Sequence, residues 1–316
     1  MPAPAAVPTV AAQPIKVATP GQSFGFLPLL VAIRQGFFRE EGLDPVEVAG
    51  VGGDLEPAAL QAGEVDYAGA GGTIGRAAVQ GLPLKLVLFL YERPTWSLVS
   101  RPEITTGEQL RGKTIGVSRI GTSDNVAARL AAAHLGLQPD RDITLVAAGL
   151  QVFPSLLSGA VDSGIINTDT TATALAQGYN ELVALSDVAI WPFSGFGVAD
   201  TKLAQQRDQV RRYARAQVKG LQFMLDHTAE VVPMAAEQFG MDPEIARLAV
   251  ESALRAVSRS SPGGVSSEGL TRFIDTELRP DLPPDVDIQP AQFVDLSVIE
   301  EAQHELGIHC TTGYQC

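Results

Sequence analysis

The chain has 316 residues, a formal net charge of −13 and a sequence pI near 4.7, so a phosphate backbone finds no basic surface on it and nucleic acid is excluded. A hydrophobic fraction of 45% supplies core for about two domains of ~100–200 residues each. The longest apolar run, around residues 86–91, falls far short of the ~20 residues a membrane helix needs.

Residues 1–14 read MPAPAAVPTVAAQP, uncharged and broken by proline. No helical period survives there, so an extended linker is expected. It serves either as a loose terminus or as the spacer behind a removed signal or lipid anchor. Residues 15–19 are a short β-prone run stopped by Pro20-Gly21. Leu27, Leu30, Val31, Ile33, Phe37 and Phe38 then follow at helical spacing. A strand is expected at 46–48, ended by Gly50, Gly52 and Gly53, then a helix at 56–61 and a strand at 63–68. Gly69, Gly71 and Gly72 lead into a helix at 73–80 and a strand at 84–91.

The same order recurs further on. A strand at 114–117 precedes Gly121-Thr122-Ser123 and a helix at 125–135; another strand follows at 143–146. Leu60, Gly63, Val65 and Asp66 match Leu156, Gly159, Val161 and Asp162 at a constant offset of 96. Two similar βαβαβ lobes with mostly parallel sheets account for the repeat. Beyond Asp200 the texture is helical, at 203–225, 233–239, 243–258, 267–276 and 295–306. C-terminal helices that return to the first lobe require two crossings, expected at 95–102 and 191–198. Lobe I is then 15–98 with 197–316, and lobe II is 99–196. Paired crossings make a hinge with a cleft between the lobes. Both cysteines, Cys310 and Cys316, lie in the last seven residues. They suit a short-loop disulfide in an oxidising compartment; with His304 and His309 they are a zinc alternative of no standard spacing.

The blocks IKVATPGQSFGFLPLLVAIRQGFFREEGLDPVEV, ALQAGEVDYAGAG, RPEITTGEQLRGKTIGVSRIGTS, LQVFPSLLSGAVDSGIIN and PAQFVDLSVIEEAQHELG resemble, in order and spacing, the nitrate/sulfonate/taurine and thiamine-precursor group of ABC-transporter solute-binding proteins. The resemblance runs from about residue 15 to 307. It implies an α/β type II periplasmic-binding-protein fold, two Rossmann-like lobes with a hinged cleft, and a non-catalytic, secreted protein, often lipid-anchored. It also implies a small-molecule ligand and a membrane permease as partners. A monomer without cofactor or bound metal is expected.

Ligands of such sheets sit beyond the carboxyl ends of the strands. Gln22, Ser23, Gly53, Gly72, Thr73, Thr122 and Ser123 occupy those turns; each serine or threonine equally suits an N-cap. Phe24, Tyr91, Trp96, Trp191 and Phe193 are candidates to hold a flat ligand or to pack the core. Asn167 and Asp169 follow a lobe II strand; Asp169 suits a ligand amine or a helix cap. Arg119 is the first-choice cation for an acidic ligand, ahead of Arg76 and Arg93.

Gly21-Gln22-Ser23-Phe24-Gly25 fits the Gly-x-Ser-x-Gly elbow of hydrolases, yet it follows the first strand instead of a later one, and no histidine stands at an evident post-strand loop. The other catalytic alternative is an enzyme on the same fold, such as a thiamine-pyrimidine synthase or a menaquinone-pathway lyase. The former carries a cysteine-rich segment in its body, where this chain has none, and no residue singles out Lys85 or Lys113 as a cofactor lysine. No phosphate-loop or zinc-protease motif is present.

Overall fold

A computed structural model describes residues 12–20, 23–48, 51–283 and 286–308. Gln22, His309, Cys310 and Cys316 lie outside the described residues, and so does most of the expected linker. Ten strands form two five-stranded sheets. The first sheet draws on β1 (Gln13–Ala18), β2 (Leu43–Val48), β3 (Tyr67–Ala68) and β4 (Leu84–Tyr91). The second contains β5 (Trp96–Ser100), β6 (Lys113–Val117), β7 (Ile143–Ala147), β8 (Ser163–Asn167) and β9 (Asn180–Ala184). The last strand, β10 (Phe193–Ala199), returns to the first sheet.

The orders are β2-β1-β3-β10-β4 and β7-β6-β8-β5-β9. Each sheet therefore has a parallel trio and one antiparallel strand, β10 or β5, inserted before its outer member. The inserted strands are the ones that follow the crossings. The divisions expected at 98/99 and 196/197 fall inside β5 and β10; sheet membership moves the crossings to 92–95 and 189–192. These two segments are tied together, since Trp191 N–H donates to Glu92 C=O at 3.0 Å.

β1 begins at Gln13, so residues 13 and 14 are strand and not linker. Gln13 N–H donates to Gly42 C=O at 2.9 Å. Pro14 then faces the side where the two-residue β3 does not reach, and its missing N–H leaves no ladder bond unmade.

The repeated positions have the same physical job in each sheet. Leu60 and Leu156 are buried, as are Val65 and Val161. Gly63 and Gly159 end their helices at φ 71° and 75°, a left-handed conformation that glycine adopts without Cβ cost. Asp66 accepts the N–H of Lys16 in β1 at 2.7 Å, and Asp162 accepts that of Thr114 in β6 at 3.0 Å. Each aspartate also meets a cation at 2.8 Å, Lys202 for Asp66 and Arg101 for Asp162. The motif stitches the third strand of each trio to the first.

β4 is apolar almost throughout and is covered on both faces. The 20-residue helix Arg207–Asp226 buries Val210, Tyr213, Ala214, Val218 and Leu221 and packs against helix Leu27–Arg34. Tyr213 stacks on Tyr67 with ring centroids 3.7 Å apart. Farther along, helix Pro243–Ala256 reaches across to helix Thr168–Ala176 of the second sheet, and Arg255 meets Glu181 at 3.3 Å. The C-terminal helices thus cover the first sheet and brace the second. No described helix is long and apolar enough to cross a membrane.

Candidate functional site

Two cavities open at the carboxyl ends of the strands, one per sheet. The larger, about 450 Å³, is lined from the β1 end by Ser23 and Phe26, from the β3 end by Gly69–Thr73 and Arg76, and from the β10 crossing by Phe193 and Ser194; Gly53, Phe273 and Glu277 complete the wall. The smaller, about 320 Å³, is lined by Trp96, Ser118, Thr122, Ser123, Asp124 and Asn167, with Gly149, Val152 and Ile165 behind. Both volumes lie in or near the range of small-molecule sites, ~300–1,000 Å³.

Two contacts join the cavities. Trp96 of the second meets Phe193 of the first edge-to-face, with centroids 4.9 Å apart, and Trp191 stands against the other side of Trp96 at 5.7 Å. Glu277 of the first sits in the turn Ile274–Leu278, which packs against helix Ser123–His134 of the second. An aromatic wall and this turn–helix contact therefore bridge the sheets. The Trp96 indole N–H donates to Asn167 Oδ1 at 2.7 Å, its register partner across the β5–β8 ladder. This bond fixes the ring plane from the strand below.

Ten expected residues line these cavities: Ser23, Gly53, Gly72, Thr73, Arg76 and Phe193 in the larger, and Trp96, Thr122, Ser123 and Asn167 in the smaller. Six described ones line neither. Trp191 is fully buried, and Arg93 donates to Ser186 C=O at 2.8 Å. Phe24 is buried and packs on Phe239, centroids 5.0 Å apart. Tyr91 is fully buried and donates to Phe24 C=O at 3.4 Å; burial pushes its phenol well above the usual range. These two rings belong to the core. Arg119 is exposed and lines neither cavity. Asp169 sits in the first turn of helix Thr168–Ala176, where its charge favours the positive end of the helix.

Ser23 Oγ accepts Gly25 N–H at 3.2 Å, the cap of its own short turn, so the elbow-like motif is engaged in local structure. Ser194, at the mouth of the returning crossing, holds φ 54°, a left-handed conformation rare for a residue with Cβ. Such strain gathers where a fold is over-determined around a site.

Sequence reasoning missed Glu277 and Asp124. Glu277 lies in the wide π-type turn Ile274–Leu278 that ends helix Ser267–Phe273. Its side chain is 12% exposed, and burial pushes its carboxyl above the usual range against the pull of Ser123, Arg76 and Trp191. A Cβ on Gly72 would stand 2.8 Å from Glu277 Oε2, so a larger residue there would displace this carboxylate. Arg76 Nη1 donates to Glu277 C=O at 2.7 Å and lies 4.0 Å from its Oε2. Asp124 is buried at the start of helix Ser123–His134. It accepts the Ser118 N–H and, at 2.9 Å, the Ser118 hydroxyl. No short motif marks either acid; an Asp one residue inside a Thr-Ser helix start was the available signal for Asp124.

A family model described as NMT1/THI5 like matches residues 23–231. The riboflavin-binding protein RibY of Chloroflexus aurantiacus is 28% identical over 249 residues, 74% of this chain and 70% of that protein. Among solved structures, the periplasmic nitrate-binding protein NrtA of Synechocystis PCC 6803 superposes with a TM-score of 0.71 at 13% identity, covering 94% of this chain and 90% of that one. The periplasmic aliphatic sulphonate binding protein SsuA of Escherichia coli gives a TM-score of 0.65 at 15% identity, over 84% and 90% of the two chains.

Proposed function

The chain belongs to the NMT1/THI5-like family, and from that membership we propose that it is the extracytoplasmic solute-binding component of an ABC importer. It captures a flat organic molecule between its two sheets. The observation that carries this reading is the pair of cavities at the strand ends of two like sheets, joined by an aromatic wall and connected through two short crossings. A ligand that touches both sheets favours the closed arrangement, and a ligand touching one shifts nothing. Trp96 and Phe193 hold the ring, and Ser23, Thr73, Thr122, Ser123 and Asn167 supply polar contacts. The closed form docks on a membrane permease. The protein works as a monomer, without catalysis, outside the cytoplasmic membrane, and a lipid tether ahead of β1 is part of the proposal. Riboflavin is the first ligand to test, because a 28% identical relative is named for binding it.

Native mass spectrometry of gently purified protein, with riboflavin added at a few-fold excess, tests the reading. A 1:1 adduct, lost on denaturation with riboflavin unchanged in mass, is expected. Riboflavin recovered with an altered mass would replace the transport reading by an enzyme on this fold.

A further inference from the structure

An α/β cleft holds anions with backbone N–H groups at helix starts, with hydroxyls and with guanidinium groups. In this protein several of these are already taken by its own acidic groups or carbonyls. At the second sheet, Asp124 stands at the start of helix Ser123–His134. It receives the Ser118 N–H, the Ser118 hydroxyl and the Thr122 hydroxyl, the set that an incoming oxyanion would use. At the first sheet, Glu56 is fully buried beneath the cavity floor and receives the Ala70 N–H at 2.6 Å, ahead of helix Gly71–Val79. Arg76 is the single cation among the described residues that line the two cavities. It is spent on the Glu277 carbonyl at 2.7 Å, beside that residue's carboxylate.

Glu277 offers a ligand an acceptor, and no cation among the described residues of either cavity is left to balance an added negative charge. Glu277 reaches the cavity over Gly72, where a side chain would collide with it. Its turn, Ile274–Leu278, packs against helix Ser123–His134 of the second sheet. An anionic ligand would have to displace Asp124 or sit against Glu277, and neither carboxylate can be repaid by a free cation.

We propose that this cleft selects a flat ring that is neutral or cationic and presents an N–H donor to Glu277, and that it rejects sulfonates, nitrate and carboxylates. Glu277 is the specificity-determining residue. The inference rests on the binding reading above and narrows it. It also separates this chain by ligand charge from the sulphonate- and nitrate-binding proteins whose fold it shares.

Calorimetric titration of the full chain tests it, with riboflavin and 4-aminopyrimidine as neutral probes and benzenesulfonate, taurine and nitrate as sulfonate or oxyanion probes. The wild type should bind a neutral probe and show no heat with the other three. Glu277→Gln, checked for an unchanged circular dichroism spectrum, should lose at least tenfold in affinity for that probe. Binding of benzenesulfonate or nitrate within tenfold of the best neutral probe would overturn the inference while leaving the binding reading intact. Failure of all five probes would overturn the binding of small polar or ring ligands itself, and this inference with it. The wild-type comparison decides the charge preference even where Glu277→Gln fails to fold.

Discussion

Glu56 and Glu41 are both buried acids, yet they respond to pH in opposite directions. Glu56 is raised to about 7 by burial, only partly offset by backbone N–H groups at Ala70 and Gly69. Its protonated form suits the native state, so its contribution is full below the unfolded value near 4.5 and is lost as pH rises through about 7. A shift of that size corresponds to about 3 kcal/mol at most. Urea titrations at pH 4.0 and 8.5 should show Glu56→Gln more stable than wild type at the higher pH by ~1–3 kcal/mol, with little difference at the lower. An unchanged difference at both pH values would count against a protonated Glu56. For Glu41, burial pushes the carboxyl up, but hydrogen bonds from Arg215 and Lys219 outweigh it and hold the group below its ordinary value. That contribution is present above about 4.5 and disappears as pH falls.

Among helices, the contact of Arg207–Asp226 with Leu27–Arg34 turns on Gly220. An added Cβ would lie 2.8 Å from Ala32 Cβ and 2.8 Å from the Pro28 carbonyl oxygen. Replacing a helical glycine by alanine ordinarily gains ~1 kcal/mol. Overpacking against backbone costs about 1–3 kcal/mol, so the clash wins. Chemical denaturation should find Gly220→Ala destabilised by ~1–2 kcal/mol, and a stabilised variant would mean that the two helices are free to separate.

Much of this level was legible in the sequence, because the Leu-Gly-Val-Asp repeat encodes burial, a left-handed turn and a strand stitch in four residue types. β5, β9 and β10 were not legible. β5 and β10 are antiparallel insertions, and nothing local to 96–100 or 193–199 states which sheet will receive them. The site divides in the same way. Ser, Thr and Gly at post-strand turns line the cavities because the turn itself faces the cleft. Phe24 and Tyr91 occupy similar sequence positions, but their size lets them reach the core. Glu277 was invisible because helical periodicity marks an apolar face, not the single turn that meets a distant sheet.

The whole molecule is two sheets linked by crossings that hydrogen-bond to each other, with helix Pro243–Ala256 bracing the second sheet away from the cavities. The proposed closure would hinge on the backbone at 92–95 and 189–192. Small-angle scattering should record a smaller radius of gyration on saturation with a ligand that touches both cavities. An unchanged radius would mean that the cleft is already closed. The two tryptophans of the chain, Trp96 and Trp191, both stand at the junction of the sheets, so intrinsic fluorescence reports on this movement directly. Trp96→Ala should weaken ring binding at least tenfold, the equivalent of about 1.4 kcal/mol, because the wall loses the ring that meets both Phe193 and Trp191.

The proposed function requires a small ring bound, unchanged, between the two sheets. Calorimetric titration of riboflavin into wild type and Trp96→Ala in parallel is the test. One site per chain is expected in the wild type, with affinity at least tenfold weaker in the variant. Equal affinity in the two proteins would place the ligand elsewhere on the molecule and overturn the proposal.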